Sequence, residues 1–297
     1  MRRPIPSALP GASALTRLSP LSGISALRGV SGLPGVSGLS AVSGPLRTAV
    51  VEAAVLTGRL ALYPTGVRPE RPGSASAGPA GPELPGPPPV LLLHGLIDNR
   101  SVFTLLRRAL RRHGRPEVAC VNYSPLTRDV RAAAETLGER IEELRARTGH
   151  RRVDVVGHSL GGLIARYHVQ RQGGDARVRT LVTLGTPHAG TRAVPPVAAP
   201  PLIRQLRPGS EVLTELAGPA PGCRTLFVSF WSDSDPLMVP RETARLDHPD
   251  LRCRGVRVRG VGHLALPVHP AVIAQVRTEL AGVDADAAKR AESVDVA

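Results

Sequence analysis

Aromatic residues are almost missing from this 297-residue chain, which has three Phe, three Tyr and one Trp. So small a set leaves little to stack on bases, and neither zinc-finger cysteine spacing nor an aromatic RNA-binding signature occurs. The formal charge of +14 therefore does not make the chain a nucleic-acid binder. Lysine is scarcer still: Lys289 is the only one, and arginine carries the rest of the positive charge. A solvated basic surface accounts for that charge, and attraction to anionic lipid headgroups is its sharper use. Cysteine is limited to Cys120, Cys223 and Cys253. Cys120 sits in the apolar pattern VACVNY and reads as a small core residue. Cys223 and Cys253 each stand at or just before a strand start, and a bridge needs those strands to be neighbours. No clustered metal ligands occur, so neither metal nor cofactor is implied. An uninterrupted apolar leader is also lacking, because Pro4, Pro6, Pro10 and Gly11 follow the basic start Met1-Arg2-Arg3. The compartment stays open between cytoplasm, a membrane surface and, with a different start, secretion.

Residues 1–45 repeat Ser-Gly-Leu-Pro units and are expected to be disordered. Residues 46–63, LRTAVVEAAVLTGRLALY, are apolar and helix-compatible, but Arg47, Glu52 and Arg59 argue against a simple membrane span. A helix packed on the domain and an interfacial anchor both fit this stretch. Residues 64–88 form a Pro/Gly-rich linker. A compact domain is expected over 89–282, with a polar tail over 283–297. Within it strands and helices alternate. Strands are predicted at PVLLLHG, EVACVNY, VDVVGHS, VRTLVTLGTP (178–187), CRTLFVSFWS and GVRVRGVGH, and helices near 101–113, 129–148, after Ser159 and at 270–280. Such alternation with near-continuous apolar strands predicts a mostly parallel sheet covered by helices on both faces, with the site beyond the carboxyl ends of the strands.

The chemistry falls at those ends. Gly157-His158-Ser159-Leu160-Gly161 joins a strand to a helix by a sharp turn, which lifts the Ser159 hydroxyl clear of the sheet. The glycines keep that turn free of side chains, and the amide of Leu160 is placed where negative charge develops during acyl transfer. At the end of the first strand, His94-Gly95-Leu96 offers the amide of Leu96 as a second donor to an oxyanion hole, with His94 as a structural residue. An acid is expected after the next-to-last strand, where Asp233 and Asp235 both stand. Asp235 lies farther past the strand, and Asp233 suits a loop cap. A base is expected last, at His263 behind Gly260-Val261-Gly262, because His269 opens the final helix and His248 and His150 lie in polar loops.

The chain from about Pro89 to Leu280 resembles the α/β-hydrolase lipases, especially the small bacterial class that includes the Bacillus enzymes. The resemblance rests on LLLHG (91–95), GHSLGG (157–162), TLGTPHAGT (183–191), WSDSD (231–235) and GVGHLALP (260–267). It implies the α/β-hydrolase fold, a catalytic triad of Ser159, Asp235 and His263, and an oxyanion hole at Leu96 and Leu160. The turn TPHAGT is shared with inositol-deacylase-like proteins, where it forms a pocket wall, so His188 is expected to be structural. The expected function is a serine lipase or esterase acting as a monomer on lipid or acyl esters, with an anionic membrane surface as a further partner. Thioesterase, acyltransferase and glycolipid deacylase chemistry at the same serine stay open, as does a basic membrane-docking module without catalysis. Two features depart from the family: the long low-complexity N-terminus and the insert 191–221. The insert is either a small lid over an acyl pocket or an ordinary excursion between strands.

Overall fold

A computed structural model describes residues 44–67, 86–123, 127–195 and 199–294. The low-complexity stretch before Gly44 and most of the expected linker (68–85) lie outside these residues. Helix α1 (Gly44–Val67) comes first, followed by β1 (Val90–Leu93), a 3₁₀ turn (Arg100–Phe103) and α2 (Thr104–Arg112). Next come β2 (Val118–Val121), α3 (Val130–Thr148), β3 (Val153–His158), α4 (Leu160–Arg171) and β4 (Val178–Leu184). Two short helices, α5 (Pro201–Arg204) and α6 (Glu211–Ala217), precede β5 (Leu226–Ser232), β6 (Arg252–Val258) and α7 (Pro270–Val294).

The six strands make one sheet in the order β2-β1-β3-β4-β5-β6, and every pair is parallel. Parallel neighbours need crossovers, and each crossover lays a helix or the insert on a face of the sheet. The strand period of two divides the apolar side chains between two cores. Leu91, Leu93, Val153 and Val155 face α3, α4 and the insert. Val90, Leu92 and Val156 face α2, the start of α7 and the Val51–Val55 side of α1. In α3 the buried set Val130, Ala134, Leu137, Ile141 and Leu144 keeps helical spacing, Asp129 caps the first turn, and Gly149 ends the helix at φ 72°.

At the amino edge of the sheet, Asp154 is fully buried between Arg115, at 3.0 Å, and Arg179, at 2.6 Å. Both arginines also reach Asp284. That contact corrects the expected tail: α7 continues well past Leu280, because Asp284 has two buried or half-buried cations to meet. Strand β6 also begins earlier than GVRVRGVGH suggests, at Arg252, and stops at Val258. His263 therefore stands on a loop, and Cys253 lies inside the strand. None of the three cysteines forms a disulfide. In the insert, Leu202, Leu206, Val212, Leu213 and Leu216 are buried in the same core as Leu160 and Leu163 of α4.

Candidate active site

At the carboxyl edge, the turn from β3 to α4 puts Ser159 at φ 54° and ψ −122°, backbone that an L-residue adopts only under strain. The surroundings hold it there. The Ser159 amide donates to the Leu184 carbonyl at 2.9 Å, and its carbonyl accepts from Thr186 Oγ1 at 2.9 Å and the Gly162 amide at 3.1 Å. The flanking glycines leave space that nothing larger could occupy. A Cβ on Gly161 would fall on the Leu93 and His94 carbonyls, and one on Gly157 would strike the backbone of Gly161 and Gly162. Leu160 is the first residue of α4, so its amide has no acceptor within the helix.

Asp235 and His263 are brought together. His263 Nδ1 lies 2.7 Å from Asp235 Oδ2, and both side chains are buried. The other carboxylate oxygen accepts from the Leu237 amide at 2.9 Å, which fixes the plane of the acid. Asp233 caps the loop, as its position suggests: it accepts from the Gly260 amide at 3.0 Å and pairs with Arg257 at 3.2 Å. The Gly260 amide, with Ser234 and Arg257, holds its carboxyl below the usual range. Beneath the Asp235–His263 pair lies Gly185, where a Cβ would come within 3.1 Å of both. The His158 ring tilts against the His263 ring at a centroid distance of 4.9 Å, and its Nε2 donates to the His263 carbonyl at 3.1 Å. Burial lowers its pKa to about 4, so His158 stays neutral near pH 7.

The loop after β1 passes over the serine. A Cβ on Gly95 would lie 3.1 Å from that of Ser159. The Gly95 carbonyl accepts from His94 Nδ1 at 2.9 Å and from the Tyr123 hydroxyl at 2.8 Å, and the two rings stack at 4.5 Å. A trans peptide points its N–H opposite to its C=O. Fixing the Gly95 carbonyl therefore fixes the direction of the Leu96 amide. His94 is thus a backbone anchor, and burial lowers its pKa. His188 contacts Thr183 Oγ1 at 2.9 Å, and burial, helped by Arg166, pushes its pKa far down. His248 donates to the Gly218 carbonyl at 3.1 Å, and His269 sits at the entry to α7.

Helix α1 supplies contacts that the sequence did not reveal. Glu52 accepts from the amides of Leu264, at 2.8 Å, and Ala265, at 2.9 Å, directly after His263. Arg59 is buried and donates to both Asp98 oxygens, at 3.0 and 2.8 Å, and to the Leu264 carbonyl at 2.6 Å. In the sequence these two charges only argued against a membrane span. Their partners lie 205 and 212 residues away, and no local spacing records such pairs. Among the described residues no group of three His, Cys, Asp or Glu is placed to hold a metal ion.

Residues 89–235 match the sequence model of the palmitoyl protein thioesterase family. The matched stretch contains Ser159 and ends at Asp235. Among solved structures, the chain is similar to the mature form of the Bacillus licheniformis lipase BlEst2, with a TM-score of 0.57, 16% identity, and coverage of 69% of this chain and 96% of that one. Aspergillus fumigatus lipase B gives a TM-score of 0.59 at 18% identity, over 71% of this chain and 55% of that one. EstE1, a thermophilic carboxylesterase cloned from a metagenomic library, gives 0.52 at 18% identity, over 82% and 97%. At such identities the likeness is one of fold.

Proposed function

We propose that this chain, which has the α/β-hydrolase fold and matches the palmitoyl protein thioesterase family over residues 89–235, is a serine carboxylic-ester hydrolase, a lipase or esterase acting on lipid or other acyl esters. The observation that carries this reading is the buried 2.7 Å contact of His263 Nδ1 with Asp235 Oδ2, beyond the carboxyl ends of the strands that also present Ser159. With Nδ1 donating to the carboxylate, Nε2 keeps its lone pair. It takes the Ser159 proton as Oγ attacks the acyl carbonyl, and Asp235 stabilises the imidazolium. The amides of Leu96 and Leu160 receive the oxyanion. Collapse expels the alcohol, which takes the proton from Nε2, and water then repeats both steps on the acyl-enzyme. A positioned base of this kind contributes about 10²–10⁴ in rate, and one oxyanion donor about 10²–10³.

Thioester hydrolysis is the second reading, favoured by the match to palmitoyl protein thioesterases. A thiolate leaves more readily than an alkoxide, so the same residues serve it with less demand on the protonating step. The test is hydrolysis of short- and long-chain p-nitrophenyl esters and of an acyl thioester by the full chain and its Ser159→Ala variant. Activity that vanishes with Ser159 supports the mechanism, and the preferred substrate chooses between ester and thioester. Equal activity in both proteins refutes the assignment of Ser159.

A further inference from the structure

We propose that α1 docks this protein on an anionic lipid surface, its outer face in the boundary between headgroups and acyl chains and the arginines of α2 on the headgroups. The helix has 24 residues and three charges: Arg47, Glu52 and Arg59. Glu52 and Arg59 point inward to the loops of the site. Apart from Arg47 at its start and the threonines, what remains outside is apolar. Leu46, Val50, Leu56, Leu60 and Val67 are between 44 and 65% exposed, and Ala53 and Ala54 lie exposed among them. At about 1.5 Å per residue this face runs for roughly 36 Å. Near its carboxyl end, on the loop that carries Leu96, Ile97 is 83% exposed. A continuous apolar face of this kind marks an interaction surface rather than the ordinary scatter of exposed Leu and Val. No helix among the described residues is long and apolar enough to cross a membrane, so the geometry is that of a helix lying in an interface.

The chemistry beside this face selects the occupant. At its end, Thr65 joins Arg100, Arg107, Arg108, Arg111 and Arg112 around an open groove of about 540 Å³. Arg100 donates to the Thr65 and Gly66 carbonyls, which ties the cluster to the helix. Helix α2 carries four arginines and no acid. An apolar stripe with arginine at its start and a cationic cluster at its end matches acyl chains beneath anionic headgroups, where each surface cation is worth about 1 kcal/mol. A second copy fits less well, because each chain brings a formal +14 to the contact. The inner face gives docking a consequence for the site. Glu52 and Arg59 join the helix to the His263 loop and to Asp98, so a surface that holds α1 also fixes the height of the site above the lipid.

Sedimentation of the full chain with vesicles tests this without reference to the reaction. Phosphatidylcholine vesicles are compared with ones in which about a third of the lipid is phosphatidylglycerol. Wild type is expected on the anionic vesicles, less at high salt. Leu56→Glu with Leu60→Glu, and separately Arg108→Glu with Arg112→Glu, should each weaken partition about tenfold or more. Circular dichroism and hydrolysis of the water-soluble p-nitrophenyl acetate should be unchanged in both. Leu56→Gln with Leu60→Gln replaces the first pair should it fail to fold. The proposal is overturned if wild type stays in solution, if the helix variants partition like wild type, or if light scattering shows that they only dissolve a dimer. Failure of the ester-hydrolase reading would show separately, as hydrolysis absent from a protein that still binds vesicles.

Discussion

Removing Glu52 should slow catalysis without touching a reacting atom. Its carboxylate accepts from two consecutive amides, those of Leu264 and Ala265, and the residue before them is His263. Hydrogen bonds to a charged group are worth about 1.5–3 kcal/mol each. Glu52 is half-buried and water can replace part of what is lost, so about 2 kcal/mol of loop order is a reasonable net figure for Glu52→Ala. β6 stops at Val258, and the intervening residues have no ladder to hold them. A loop loosened by this amount displaces the imidazole, and a misplacement of about 1 Å costs on the order of 10²-fold in rate. The expectation for p-nitrophenyl acetate is a fall in kcat of about ten- to a hundredfold, with KM changed by less than about twofold. Glu52→Gln keeps one acceptor oxygen but turns an NH₂ toward the second amide, so its kcat should lie between the two. The ranking Glu, Gln, Ala in kcat at constant KM is the signature of a positioning residue. A Glu52→Ala protein with wild-type kcat and an unchanged melting curve would refute the reasoning.

Two further expectations concern the same edge of the sheet. Tyr123→Phe removes one of the two donors on the Gly95 carbonyl and should lower kcat about three- to tenfold at constant KM; an unchanged kcat would mean that the Leu96 amide is held without Tyr123 or receives no oxyanion. His158 titrates near 6.5 when unfolded and, through burial, at about 4 when folded. Between these values the unfolded chain binds the extra proton, so stability is complete above about pH 6.5 and falls as the pH drops toward 4. The loss is on the order of 3 kcal/mol. Urea unfolding at neutral and mildly acidic pH should show a slope that is visibly flatter in His158→Gln, and identical slopes would exclude His158 as the group responsible.

The parts of this protein that could be read from its sequence are those with local causes. The strand period sorts Leu91 and Leu93 from Val90 and Leu92, and the helical spacing from Val130 to Leu144 is visible without a structure. Gly157 and Gly161 announce a turn that nothing larger fits. Gly262 carries a constraint that the sequence does not display, because a Cβ there would run into the Glu52 carboxylate. Its cause is a residue 210 positions upstream. The Arg115, Asp154, Arg179 and Asp284 network was invisible for the same reason, since each member alone is an unremarkable charge in a basic, arginine-rich chain.

This distinction bears on where the working unit starts. The stretch that matches a known family runs from 89 to 235 and leaves out His263. From β6 onward His263, the proposed base, stands on a loop whose anchors come from several places: Ser232 on the Val261 carbonyl, His158 on the carbonyl of His263, and Glu52 and Arg59 on Leu264 and Ala265. The first two belong to the sheet, and the last two belong to α1. A chain begun at Pro89 would keep every strand and all three candidate catalytic residues but lose half of these anchors. It would also expose the Val51–Val55 contact surface of the second core. Since a base is useful only within hydrogen-bond reach of the proton it takes, the inner face of α1, through Glu52 and Arg59, belongs to the proposed site as much as the elbow does. The outer face of the same helix is then left for a surface, because Glu52 and Arg59 are already engaged on its inner face.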